Sequence, residues 1–184
     1  ELAASLIDRP AALVAENGAP SGEKLFMLYN PPIVEPQLQI RQAPATAART
    51  LVSRFMKAGH HAIAFMRSRR EVEVLTRKLK EGFEAKGDRR LAERTEGYRG
   101  GYLPEERRRI ERGLRAGSVQ GVVTTNALEL GIDIGSLDVC VIAGFPGTIA
   151  STWQQAGRAG RRQGTSVAIL VAGDDPVDQY LIHH

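Results

Sequence analysis

The chain has 184 residues, 42% hydrophobic and 25% charged, enough apolar material for one packed core and too little for two large ones. Lys and Arg exceed Asp and Glu by 25 to 21, and no apolar run approaches the roughly 20 residues that a bilayer-crossing helix needs, so no membrane partner is expected. A lone cysteine, Cys140, excludes an intramolecular disulfide and a thiolate zinc site built by this chain alone, and points to a reducing, cytoplasmic setting.

Taken in chain order, residues 1–45 read as an incoming strand and linker. Asn17 and Gly18 form a tight turn ahead of a strand at 24–29, and Pro31, Pro32 and Pro36 then hold the chain extended. From about residue 45, short apolar strands alternate with segments of helical period, the signature of βαβ units around a parallel sheet. Strands are expected at 61–66, 92–97, 121–125, 138–143 and 166–171, several as continuous apolar runs suited to a sheet covered on both faces. Between them Leu51, Val52, Phe55 and Met56 recur at helical spacing, then Val72, Leu75, Leu79 and Phe83, then Ile110 and Leu114 behind Pro104. Helix-like stretches at 151–155 and 177–181 follow. The fold class is α/β, a three-layer parallel sheet with helices on both faces.

Positive charge is concentrated mid-chain: residues 67–115 carry 16 basic and 10 acidic side chains, net +6, which suits a polyanion. The motifs of a self-sufficient nucleotide hydrolase, Gly-Lys-Ser/Thr and Asp-Glu, do not occur, and neither does a Rossmann glycine pattern. Arg158 and Arg161, three apart and separated by glycine and alanine, lie on one face if the segment is helical, where two planar, permanently charged forks suit a phosphate chain. A basic helix end complementing the dipole terminus is the alternative reading of the same residues. Upstream, an apolar strand passes through Thr125 and Asn126 to Gly131 and Asp133. Thr125 could offer a hydroxyl and a backbone N–H to a phosphate, and Asp133 could accept a ribose hydroxyl; a helix cap and a turn-closing aspartate are the plainer alternative. The arginines of α-helical residues 107–115 interleave with Glu105, Glu106 and Glu111, as on a solvated helix. Trp153 reads as a core aromatic or as a base-stacking platform, and His60 and His61 have no partner at metal-ligand spacing, so no metal site is expected.

Together, T-N-A-L-E-L-G-I-D-I-G and Q-Q-A-G-R-A-G-R resemble motifs V and VI of superfamily-two helicases of DEAD/DEAH type. The stretch H-A-I-A-F-M-R-S-R-R resembles motif IV, and Y-R-G-G-Y-L-P-E-E-R-R resembles the motif that follows it. The order fits the C-terminal RecA-like domain of that group, and the wording most resembles the Hrq/MrfA (YprA) subfamily of DNA-repair helicases. The resemblance implies a helicase C-terminal domain over 46–173, preceded at 1–45 by the linker from an N-terminal RecA-like lobe and followed at 174–184 by the start of another segment. It implies a cleft for ATP and Mg2+ between the two lobes, the metal being held by the other lobe. Arg158 and Arg161 become arginine fingers, with Gln154 coupling nucleotide to nucleic acid and Gly131 and Asp133 at the nucleotide. Ser68, Gly101 and Thr125 match backbone-contacting positions on single-stranded DNA, and Arg67 and Arg69 join them on charge. An RNA helicase or remodelling translocase lobe, or a non-catalytic nucleic-acid-binding module, remain the alternatives. Glu105 stands where many relatives carry Gln, and Gln154 and Asn126 depart from the DEAD-box pattern.

Overall fold

The computed structural model describes residues 2–10, 12, 22–132, 134–135, 137–160 and 164–183. The expected turn at Asn17 and Gly18 lies outside them. In chain order the elements are α1 (Leu2–Ile7), β1 (Lys24–Tyr29), β2 (Ile33–Glu35), β3 (Ile40–Arg41), α2 (Pro44–Lys57), β4 (Ala62–Phe65), α3 (Arg69–Glu84), α4 (Arg89–Glu93), β5 (Thr95–Tyr98), α5 (Pro104–Arg115) and β6 (Gly121–Thr124). A 3-10 turn (Asn126–Leu128), β7 (Val139–Ala143), α6 (Ile149–Ala156), β8 (Ser166–Val171) and α7 (Pro176–His183) follow.

Six strands form one sheet in the order β1-β8-β7-β4-β6-β5, every neighbouring pair parallel. The expected α/β class is therefore observed. Strand periodicity sorts the side chains onto the two faces of the one sheet. Ala62 and Ala64 of β4 face a cluster with Val52 and Met56 of α2 and Val72, Leu75, Leu79 and Phe83 of α3. Ile63 and Phe65 face the opposite cluster, with Ile110 and Leu114 of α5 and Ala156 of α6. Alternate residues thus serve opposite layers, and the helical stripes read from the sequence cover both faces.

Three expectations are corrected. Ala92 does not begin a strand: the amides of Leu91 and Ala92 turn back to the Asp88 carbonyl, closing α4, and β5 starts at Thr95. As helix, a state alanine favours, Ala92 and Leu91 pack into the cluster shared with α2 and α3. The proline segment is not simply extended, because β2 and β3 pair antiparallel and the Gln42 amide bonds the Pro32 carbonyl. Trp153 is not core. Only Thr152, Gln155 and Ala156 of the eight-residue α6 are buried; Trp153 lies off that stripe, 58% exposed, with its ring 5.2 Å from that of Phe26.

Candidate functional site

Parallel strands present their carboxyl ends along one rim, where open α/β sheets hold ligands. Beyond the ends of β4, β6 and β7 lies a cavity of ≈ 290 Å³, lined among others by Arg67, Thr125, Asn126, Gly144, Ser151 and Gln155. Arg67 leaves β4 exposed at its end, and its Cδ comes within 3.3 Å of where a Gly144 Cβ would stand. Gly144 has φ +83°, so both conformation and space call for glycine. Thr125 begins the 3-10 turn, its hydroxyl accepting the Ala127 amide at 3.4 Å.

Ser68 caps α3: Oγ accepts the Glu71 amide at 3.2 Å and donates to the Glu71 carboxylate at 3.0 Å, satisfying a helix-end donor. Arg69 reaches toward the neighbouring turn, its Nη2 lying 3.6 Å from the place of a Gly100 Cβ. Gly101 follows, exposed and at φ +100°. Glu73 of α3 braces this turn, accepting Arg99 Nε at 2.6 Å and the Tyr102 hydroxyl at 2.9 Å, while the Arg99 guanidinium lies 4.8 Å from the Tyr102 ring centre. The hydrogen bond from Arg99 holds the Glu73 carboxyl below the usual carboxylate range, and burial followed by the bond to Glu73 pushes the Tyr102 phenol up to about 12. The structure therefore brings Arg67, Ser68, Arg69, Gly101 and Thr125 to the carboxyl rim of the sheet.

The arginine segment is less open than its spacing suggests. Arg158 is 5% exposed; its Nε and Nη2 donate to the Glu129 carbonyl and its Nη1 to the Ile132 carbonyl. It clamps the turn at Gly131, which is exposed at φ +79° with open space where a Cβ would stand. Asp133 and Arg161 lie outside the described residues. The glycines of the segment also pack: Gly160 has φ +90° and a Cβ there would collide with Ser166 Oγ, while a Gly157 Cβ would meet the Trp153 carbonyl at 3.0 Å.

Two residues missed by the sequence reading connect these parts. The Glu129 carboxylate accepts Ser151 Oγ at 2.8 Å and Gln155 Nε2 at 3.0 Å, while its carbonyl receives Arg158. Glu129 thus joins the cavity wall to the arginine segment. Its sequence signal was a single carboxylate between Thr125 and Asp133. Gln155, not its exposed neighbour Gln154, lines the cavity, and its buried Oε1 has no hydrogen-bond partner among the described residues. On the other side of the cavity Asp178 of α7 is buried and accepts the Phe145 and Gly173 amides at 3.0 and 2.7 Å, fixing the loop after β7. Among the described residues no three His, Cys, Asp or Glu side chains converge as metal ligands, and no helix is long and apolar enough to cross a membrane.

The helicase conserved C-terminal domain matches residues 46–163. The ATP-dependent helicase YprA of Bacillus subtilis (strain 168) is 51% identical over the whole chain, which spans 24% of that relative. ATP-dependent helicase HRQ1 of Saccharomyces cerevisiae is 39% identical over 94% of the chain and 16% of its own length. The crystal structure of the DUF1998 helicase MrfA bound to DNA and AMPPNP superposes with a TM-score of 0.88 at 50% identity, covering all of this chain and 25% of that one. The chain spans about a quarter or less of these relatives. With residues 46–163 inside the matched region and the whole chain aligned with YprA, it belongs to the helicase conserved C-terminal domain family, as a RecA-like lobe of the YprA, MrfA and Hrq1 type.

Proposed function

We propose that this chain is the second motor lobe of an ATP-dependent DNA helicase or translocase acting in DNA repair in the cytoplasm. The observation that carries the reading is the bonding of Glu129 to Ser151, Gln155 and Arg158, which makes a strand-end cavity and an arginine segment one mechanical unit. Such a unit suits a motor, in which a change at the nucleotide must alter the grip on nucleic acid. A passive binding module has no use for it. MrfA bound to both DNA and AMPPNP supports the same assignment.

In this reading ATP sits between this lobe and a preceding one, which holds Mg2+ and cradles the phosphates. Residues 46–173 form the lobe, 1–45 the connection to its predecessor and 174–184 the start of the next segment. Arg67, Ser68, Arg69, Gly101 and Thr125 contact the sugar-phosphate backbone of one strand, so tracking carries no sequence code and weakens with salt. Arg161 acts as the arginine finger, and Arg158, its guanidinium bonded to the Glu129 and Ile132 carbonyls, acts with it by holding the adjoining turn in position. Gly131 and Asp133 form the adjoining nucleotide wall, and Gln154 stands at the lobe surface beside it. Arginine fingers contribute on the order of 10³–10⁵ in rate by stabilising charge on the transferred phosphoryl group. In the full-length protein, Arg161→Ala and Arg158→Ala are each expected to collapse DNA-stimulated ATPase while DNA affinity stays within a few fold. Steady-state hydrolysis and fluorescence anisotropy measure the two quantities, and turnover retained in both variants overturns the assignment.

A further inference from the structure

On the face of the sheet that carries α2 and α3, a second depression of ≈ 430 Å³ runs between the two helices. Arg49, Arg54 and Lys57 line it from α2, and Lys78 and Lys86 from α3 and its exit; no carboxylate lines it. Lys57 pairs with Asp88 at 2.6 Å, whereas Arg49, Arg54, Lys78 and Lys86 make no ion pair among the described residues. Arg49, Ser53 and Lys57 follow one another at four-residue intervals, about 6 Å apart along the helix axis. Ser53 and Gly82 keep the trough between the cationic walls clear of bulky side chains.

The trough approaches the rim already described through a neighbouring depression. A smaller depression containing Thr46 and Glu71 shares both Arg49 and Lys78 with it, and Glu71 is the residue hydrogen-bonded to the Ser68 cap. α3 starts directly after β4, and α2 ends just before β4 begins, so the path leads from the carboxyl rim of the sheet toward its opposite edge. The chemistry of the trough is that of a phosphate ladder. Docked proteins are anchored by apolar and aromatic side chains, and the large exposed apolar residues, among them Met27, Ile149, Trp153 and Tyr180, lie elsewhere. A phosphate backbone requires only spaced cations.

We propose that the α2–α3 groove binds the sugar-phosphate backbone of DNA flanking the strand held at the carboxyl rim, extending the grip of the lobe beyond the motif residues. This inference rests on the nucleic-acid reading above. The test uses the full-length protein carrying Arg49→Gln, Lys78→Gln and Lys86→Gln together. Anisotropy is measured with a short single strand and with the same strand extended by a duplex arm, each across a salt titration. On the extended probe the variant is expected to lose about tenfold in affinity and about 2 units of log–log salt slope, as the counterion release of two to three phosphates requires. The short probe should change less than twofold, with an unaltered melting midpoint.

Equal weakening on both probes, or on neither, overturns the groove while leaving the rim assignment standing. Failure of the unmutated protein to bind either probe overturns both readings. Loss of sedimentation with phosphatidylserine vesicles at full DNA affinity assigns the groove to lipid and overturns it as well.

Discussion

Asp178 is the clearest single residue whose role depends on partners distant in the chain. Its side chain, 3% exposed, accepts the amide of Gly173 after β8 and that of Phe145 after β7. Two strand exits are thereby tied to α7, and one of them is a wall of the strand-end cavity. Asp178→Ala leaves two amides to find other partners, and hydrogen bonds to a charged acceptor are worth about 1.5–3 kcal/mol each. A loss of about 2–4 kcal/mol is expected from urea unfolding of the lobe, water entry recovering part of the sum. An unchanged midpoint would remove Asp178 from the framework. Arg158 shows the same dependence on distant partners. Its identity was visible in the sequence together with its partner motif, yet the acceptors it uses are backbone carbonyls, which carry no residue type to read.

At the scale of elements, the long helices were legible because α2, α3 and α5 each repeat an apolar stripe at the period of the helix. The central strands were legible as apolar runs. Errors fell where local signals were short: α4 is five residues, too few to show a period, and the β2–β3 hairpin pairs so few residues that prolines dominate its pattern. The turn after α6 illustrates how glycine acquires two meanings. In the sequence, small residues beside the two arginines leave room for a ligand to approach the guanidinium groups. In the structure Gly160 combines φ +90° with contact against Ser166 of β8, and its amide bonds the Leu137 carbonyl at 2.9 Å. Gly160→Ala is therefore expected to destabilise the lobe by about 2–4 kcal/mol from backbone strain and overpacking. The matched control, Gly164→Ala, meets no atom within 4 Å and should stay within about 0.5 kcal/mol. Chemical denaturation of the two variants side by side distinguishes a packing glycine from a spacer.

For the molecule as a whole, the proposed function divides between this lobe and a preceding one. In that proposal the rim grips and senses phosphate, and the chain contains no Gly-Lys-Ser/Thr or Asp-Glu with which to cradle and metallate a nucleotide. The 184-residue chain is therefore expected to leave ATP intact, while the full-length protein hydrolyses it with stimulation by DNA; phosphate release by both preparations is the measurement. Robust hydrolysis by the chain alone would contradict the two-lobe proposal. The charge of the lobe fits the same division, with a positive middle segment distributed by the fold onto the rim, the α2–α3 groove and α5. On α5, Arg109 pairs with Glu96 at 2.8 Å and Glu111 takes the Tyr98 hydroxyl at 2.7 Å, so part of that basic run serves packing.

The sequence by itself determined the parallel α/β class, the two-sided burial of the sheet and the order of the family motifs, because periodicity and short motifs are properties of neighbours along the chain. Tertiary structure alone decided that Gln155 faces the cavity while Gln154 faces solvent, that Glu129 joins Ser151 to Arg158, and that cations some 30 residues apart on α2 and α3 line one groove. Those facts depend on how far each helix is rotated against the sheet and on which strands are adjacent, quantities set by packing between distant segments that no local pattern encodes.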